Sequence, residues 1–202
     1  MKKFILLAIV FIAAGFLAWK LLSDKPTRPA EPMDKPLAIS KNSAGFDSSF
    51  SAVLNSYFAV HDALVDWDSA KADQAAYTLA ARADSLPVRG LKADSGIVLT
   101  AKSLAAMLSG DAKGFIGEAG IEGRRHSFDL MTEELYNLIR TVHYDQGEIY
   151  HIKCPMAFSD SIPAYWLSNT STVINPYLGS KHPVYKNKML HCGELVDSFP
   201  SR

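Results

Sequence analysis

The sequence predicts a mainly α protein, an antiparallel four-helix bundle with a small irregular or β C-terminal segment packed on it. Three observations carry that expectation. Apolar residues recur every three or four positions in four successive stretches between Phe46 and Val142, the spacing that places them on one face of a helix. Each stretch is bounded by capping or breaking residues, and the connections are short enough to join antiparallel neighbours. After His143 the helical period stops, and Pro155, Pro163, Pro176, Pro183 and Pro200 punctuate short apolar clusters, so long helices are excluded there.

The chain has 202 residues. It opens with Lys2-Lys3 and an unbroken apolar run over residues 4–19, followed by Lys20, Leu21, Leu22 and the polar Ser23-Asp24-Lys25. Positive charge ahead of an apolar run is the pattern of an export signal, and it places the downstream chain outside the cytoplasm. No small-x-small cleavage site closes the run, which nearly reaches the ~20 residues that cross a bilayer. Residues 1–23 are therefore expected to remain as an inner-membrane anchor with the rest periplasmic; a cleaved signal would release the same domain into the periplasm. No cysteine follows the run, so no lipid anchor is expected. Residues 24–42 hold Pro26, Pro29, Pro32 and Pro36 among charges, the composition of an extended, semi-rigid spacer.

Residues 43–145 read as the bundle. Phe46, Phe50, Leu54, Tyr57, His61 and Leu64 form the first stripe, and the break at Asp66-Trp67-Asp68-Ser69 supplies a cap for the second. That second stripe, Ala72, Ala76, Leu79, Ala83 and Leu86, is small and implies close helix packing; Pro87 and Gly90 end it. Asp94 or Ser95 caps a third helix with Ile97, Ala101, Leu104 and Leu108 on its face, expected to close at Gly110. Gly114, Gly117, Gly120 and Gly123 then suggest a loop or a ragged helix start near Glu118, each glycine weakening a helix by ~1 kcal/mol. Phe128, Met131, Leu135, Leu138 and Val142 make the fourth stripe.

Residues 146–202 form a loop-rich tail belonging to the same domain, with strands expected over 148–154 and 189–196. Both cysteines lie there, each beside a methionine: Cys154-Pro155-Met156 and Met189-Leu190-His191-Cys192-Gly193. Two thiolates and two thioethers are the soft donors that select copper(I), and His151, His191 or His182 would complete the set. Pro155 stiffens one ligand loop, and Gly193 lets the other turn. The same two cysteines in an exported chain equally suit a disulfide, which would stabilise the tail by roughly 3–4 kcal/mol.

The series Cys154-Pro155-Met156-Ala157, Asn175-Pro176-Tyr177 and Met189-Leu190-His191-Cys192-Gly193 resembles a bacterial envelope domain family of formally unknown function. That family occurs alone or fused to periplasmic adaptor subunits of copper/silver efflux systems. Phe50, Leu54, Tyr57, Leu64, Asp68, Ala72 and Ala76 fit its first helical hairpin, and Phe128, Leu135 and Tyr136 its last helix. The resemblance implies a helical bundle with a cysteine-bearing C-terminal segment, associated with copper or a related soft metal such as silver. Relatives place Met-Leu-x-Cys a few residues after the glycine of the Asn-Pro-Tyr motif, whereas this chain inserts residues 180–188.

Lys plus Arg and Asp plus Glu each number 21, scattered along the chain, which excludes a nucleic-acid footprint. No Gly-x-Ser-x-Gly elbow, His-Glu-x-x-His or Cys-x-x-Cys-His is present, so no enzyme is expected. His61 reads as a hydrogen-bonded core histidine, Met107 and Met131 as packing, Tyr165 and Trp166 as a plug against the bundle, and His126 and His143 as flanking the last helix. Asn175-Pro176-Tyr177 reads as a turn returning the second sulfur pair toward the first. The functional expectation is an envelope copper(I)-binding protein serving an efflux or resistance system, with an efflux adaptor or another envelope protein as its partner. Its expected ligands are Cys154, Met156, Met189, Cys192, His191 and His151. The alternative is a disulfide-stapled interaction module without metal.

Overall fold

The computed structural model describes residues 42–159 and 162–199. The expected anchor, and all of the expected spacer except residue 42, lie outside the described residues. Among the described residues no helix is long and apolar enough to cross a membrane.

Four helices follow one another: α1 (Ala44–Val65), α2 (Ser69–Asp84), α3 (Ser95–Ile116) and α4 (Ile121–Val142), with a 3-10 turn at Val88–Gly90 between α2 and α3. Each of the first three starts where a short polar side chain accepts a hydrogen bond from an otherwise unpaired amide. Ser43 caps Phe46 N at 3.2 Å, Asp68 caps Lys71 N at 3.0 Å, and Asp94 caps Ile97 N at 2.9 Å. The stripes read from the sequence are buried: Phe46, Phe50, Leu54, Tyr57, His61 and Leu64 on α1, and Ala72, Ala76, Leu79 and Ala83 on α2. His61 is the core histidine expected, with its two ring nitrogens 2.9 Å from Asp62 Oδ1 and 3.0 Å from Ile174 O. Consecutive helices pack on one another. Helices α1 and α4 meet through large side chains, with the Tyr57 and Phe128 rings stacked at 4.8 Å and Tyr57 Oη 2.6 Å from Thr132 Oγ1.

Two details of α3 depart from expectation. The helix runs through Gly110 and Gly114 to Ile116, because continuing it buries Ala112 and Phe115 completely. Burial of a phenylalanine contributes about 1.5–3 kcal/mol, enough to offset two interior glycines. Met107, expected to face the core, is half exposed; Ala101, Ala105 and Leu108 take the buried face.

The tail is a three-stranded antiparallel sheet of order β2-β1-β3, formed by β1 (Ile149–Ser159), β2 (Ile162–Ser168) and β3 (Glu194–Phe199). Strand β2 is absent from the sequence-based expectation, since Pro163 argues against a strand. It is tolerated near the hairpin on a strand that has a neighbour on one side only. Residues 189–191 are a turn and 192–193 irregular rather than the beginning of a strand, so β3 starts later than its apolar pattern suggests. The open edge of β2 is closed by side chains rather than by another strand. Tyr165 N donates to Asp129 Oδ1 at 2.9 Å, Leu167 N donates to Tyr57 Oη at 3.1 Å, and Tyr177 Oη donates to Tyr165 O. These bonds satisfy backbone groups that would otherwise invite pairing with another chain, and they fix the sheet to α1 and α4.

Candidate functional site

Strand β1 is regular from Tyr150 to Cys154, opposite Ser168 to Ala164. Alternation therefore puts Ile152 and Cys154 on one face, with Ala164 and Trp166 beside them, all fully buried. His151 lies on the other face, its ring 4.3 Å from that of Tyr136 and 5.1 Å from that of Tyr165. Burial pushes its pKa below the usual histidine value, with the Asp197 carboxylate pulling weakly the other way. His151 is thus held apart from the cysteines by the strand itself.

Cys192 comes to Cys154 from the strap that joins β2 to β3. Its Sγ lies 3.6 Å from Cys154 Sγ, and both side chains are free thiols. That separation is far beyond a ~2.05 Å disulfide bond and corresponds to a thiol contact. Cys154 is buried, whereas Cys192 is partly open. Burial, followed by the hydrogen bond to Cys154, pushes the Cys192 thiol up to about 11. A proton must therefore leave this sulfur before it can ligate a metal or attack a disulfide.

Two residues build the approach. Asn175 is fully buried and clamps the strap. Its Nδ2 donates to Cys192 O at 2.7 Å, its Oδ1 accepts from Tyr177 N at 2.8 Å and Leu178 N at 2.9 Å, and its own amide donates to Leu190 O at 2.8 Å. The expected Asn-Pro-Tyr turn is present, and its first residue also grips the cysteine segment directly. Gly193 has φ +158°, and a Cβ there would stand 2.6 Å from Trp166 Cη2, so only glycine lets the chain cross the indole beside Cys192.

The remaining expected ligands are dispersed. His191 is exposed and its Nδ1 lies 2.8 Å from Val173 O. A carbonyl only accepts, so Nδ1 carries the proton and Nε2 keeps the lone pair in the neutral ring. Met189 sits one turn before Cys192, whose amide donates to Met189 O at 3.0 Å, and is half-buried. Met156 lines a cavity with His126 and His182 whose walls include neither cysteine. His126 reaches the tail by stacking on Phe158 at 3.7 Å. Among the described residues no three of the His, Cys, Asp and Glu side chains converge as a metal-binding group. The structure brings Cys154 and Cys192 together and turns His151 to the opposite face of β1.

Sequence reasoning named both thiols but missed Asn175 as their clamp; an asparagine followed by proline and tyrosine announces an Asx turn, not the distant carbonyl it holds. No curated protein matches the chain, and no solved structure does. The family model described as Protein of unknown function (DUF3347) matches residues 53–147, which begin inside α1 and stop ahead of β1 and of both cysteines. The likeness to that family thus covers the helical part of this chain and not the segment that carries the thiols.

Proposed function

We propose that this protein is a periplasmic copper(I)-binding protein, an antiparallel four-helix bundle anchored through its N-terminal segment, that serves a metal efflux or resistance system. The single observation that carries the reading is the 3.6 Å approach of Cys154 Sγ to Cys192 Sγ. Sulfurs bound at ~2.3 Å to one metal stand ~3.8–4.6 Å apart, so the pair needs to open by only a few tenths of an ångström to about one ångström. Soft thiolate donors favour copper(I) or silver over magnesium or calcium. The half-exposed position of Cys192 gives an ion a route to the pair, and Met189, one turn earlier, is the thioether nearest to Cys192 in sequence. His191, with Nε2 free to ligate, is the next donor available. When bound, copper(I) would supply only a charge to be carried; the protein's own part is to strip its ligands of protons and hold two sulfurs together.

A second reading, a disulfide-stapled interaction module, rests on the same approach of the two sulfurs, which oxidation would need only to draw closer. Anaerobic titration of the reduced full-length protein with copper(I) against a competing chelator separates the two. One equivalent bound by the wild type, and none by Cys154→Ser plus Cys192→Ser, supports the metal reading. Equal chelator competition by both proteins, with the isolated protein always lighter by two hydrogens than its reduced form, overturns it in favour of the staple.

A further inference from the structure

Away from the cysteines, Arg125 on α4 is only 3% exposed. Its guanidinium lies against Trp67, with Cζ 4.1 Å from the ring centroid, and Nε donates to Pro176 O at 3.1 Å. Nη2 is buried with no hydrogen-bond partner, and no ion pair to Arg125 is found among the described residues. A buried cation without a counter-ion is costly, and structures normally pair it. Burial accordingly pushes the guanidinium down to about 10, partly offset by the Glu122 carboxylate.

The missing counter-charge has a place to sit. Arg125 lines a cavity of about 240 Å³ whose wall also holds His126 and His182 together with Met156, Phe158 and Tyr185. That volume holds roughly eight waters at ~30 Å³ each, or a small organic molecule of similar size. His182 is a second donor on the same wall. Its Nδ1 accepts from Val184 N and Tyr185 N, both at 3.2 Å, which leaves Nε2 as the protonated, donating nitrogen of the neutral ring. Its ring meets Trp67 edge-on at 5.6 Å, so Arg125 and His182 flank one indole. The cavity also abuts the start of α4, where Gly120 offers no capping side chain and the helix dipole favours negative charge. Glu122 lines the rim as an exposed residue.

We propose that this cavity binds a small organic carboxylate, with the carboxylate on the Arg125 guanidinium and an apolar or aromatic body against Phe158 and Tyr185. The lining is mixed, with Arg125, His126 and His182 beside the rings of Phe158 and Tyr185, which suits a carboxylate carrying a flat apolar body. The same buried cation repels a metal ion, so Met156 serves this cavity rather than a cationic centre. The site stands independently of the thiol pair.

Benzoate is the probe, titrated calorimetrically into the full-length protein in detergent while the Trp67 indole Nε1–H resonance is followed. Saturable binding is expected, with the Trp67 signal shifting and the neutral analogue benzyl alcohol failing to bind. Arg125→Met should weaken benzoate at least about tenfold, and Arg125→Lys should do so less, with unchanged circular dichroism. Cys154→Ser should leave binding intact. Benzyl alcohol binding as tightly as benzoate, inorganic phosphate competing with equal affinity, or no saturation by benzoate in the wild type would each overturn the proposal without recourse to any variant.

Discussion

The helices and the strap that carries Cys192 are positioned by different kinds of interaction. In the helices, cohesion is spread over many apolar contacts: Phe46, Phe50, Leu79, Leu108, Phe115 and Leu135 are all essentially inaccessible to solvent, and no one of them is unique. The sheet shares that core through Ile152, Trp166 and Leu167, but the strap that carries Cys192 is positioned by a handful of directional bonds, chiefly those of Asn175, and the free edge of β2 by three side-chain bonds. Distributed apolar packing fixes a shape, whereas a few buried polar bonds fix a position. The thiol pair lies in the second kind of structure, so its geometry can be lost while the helices persist.

The sharpest way to break that comparison is Asn175→Ala, which removes three buried side-chain hydrogen bonds. At about 1 kcal/mol each the loss is about 3 kcal/mol. It should be confined to the tail: hydrogen exchange of the β3 amides accelerates and the Cys192 thiol is alkylated faster, while exchange from α3 stays at wild-type rates. Equal acceleration in α3 would show that the two regions open as one unit. Next in size is Gly193→Ala, whose added methyl must displace Trp166 at a cost of about 1–3 kcal/mol. It should separate the sulfurs and slow air oxidation of the pair, read by thiol titration over time. Unchanged oxidation would mean that the crossing over the indole does not set the sulfur distance.

Smaller again is Tyr57→Phe. The hydroxyl accepts from Leu167 N and bonds Thr132 Oγ1, so its removal leaves a buried strand amide unpaired and costs about 1–2 kcal/mol. Because Tyr57 belongs to α1 and its partner to β2, this change tests the joint between the two regions. Lowered exchange protection at Leu167 with an unaltered urea midpoint for the helices is expected; the reverse would make Tyr57 a core residue and nothing more.

The same division explains what could be read in the sequence. The four stripes were legible because a helix writes its burial into a local period, and Asp68 and Asp94 announce their own caps. The path of α3 past Gly110 was not legible, because its cause is the complete burial of Phe115, a matter of tertiary packing and not of local sequence. Strand β2 was hidden by Pro163 and by an edge whose partners, Tyr57 and Asp129, are 110 and 36 positions away in sequence. The two cysteines were legible as soft, paired donors, but the sequence placed His151 among them. Strand alternation turns His151 to the opposite face, a consequence visible only once β1 has its register.

The weakest expected effect separates the regions by pH. Glu134 on α4 is pushed up to about 8 by burial, then by its hydrogen bond to Asp111 on α3 and by that residue's charge. An unfolded glutamate titrates near 4.5, so the fold favours the protonated form. The stability this contributes is complete below 4.5 and is lost as the pH rises to about 8. In the tail, Cys192 moves from 9.0 to about 11, so its corresponding loss begins only above pH 9 and ends near 11. Glu134→Gln keeps a donor for Asp111 and cannot ionise. Its urea midpoint should match that of the wild type at pH 4 and exceed it modestly at pH 8.5, flattening the acid-to-neutral slope while leaving the decline above pH 9 in place. Cys192→Ser should do the opposite, removing part of the alkaline decline alone. Parallel profiles for wild type and Glu134→Gln between pH 4 and 8.5 would mean that α3 and α4 share no proton, and the cohesion of the helical region would then owe nothing to this polar pair.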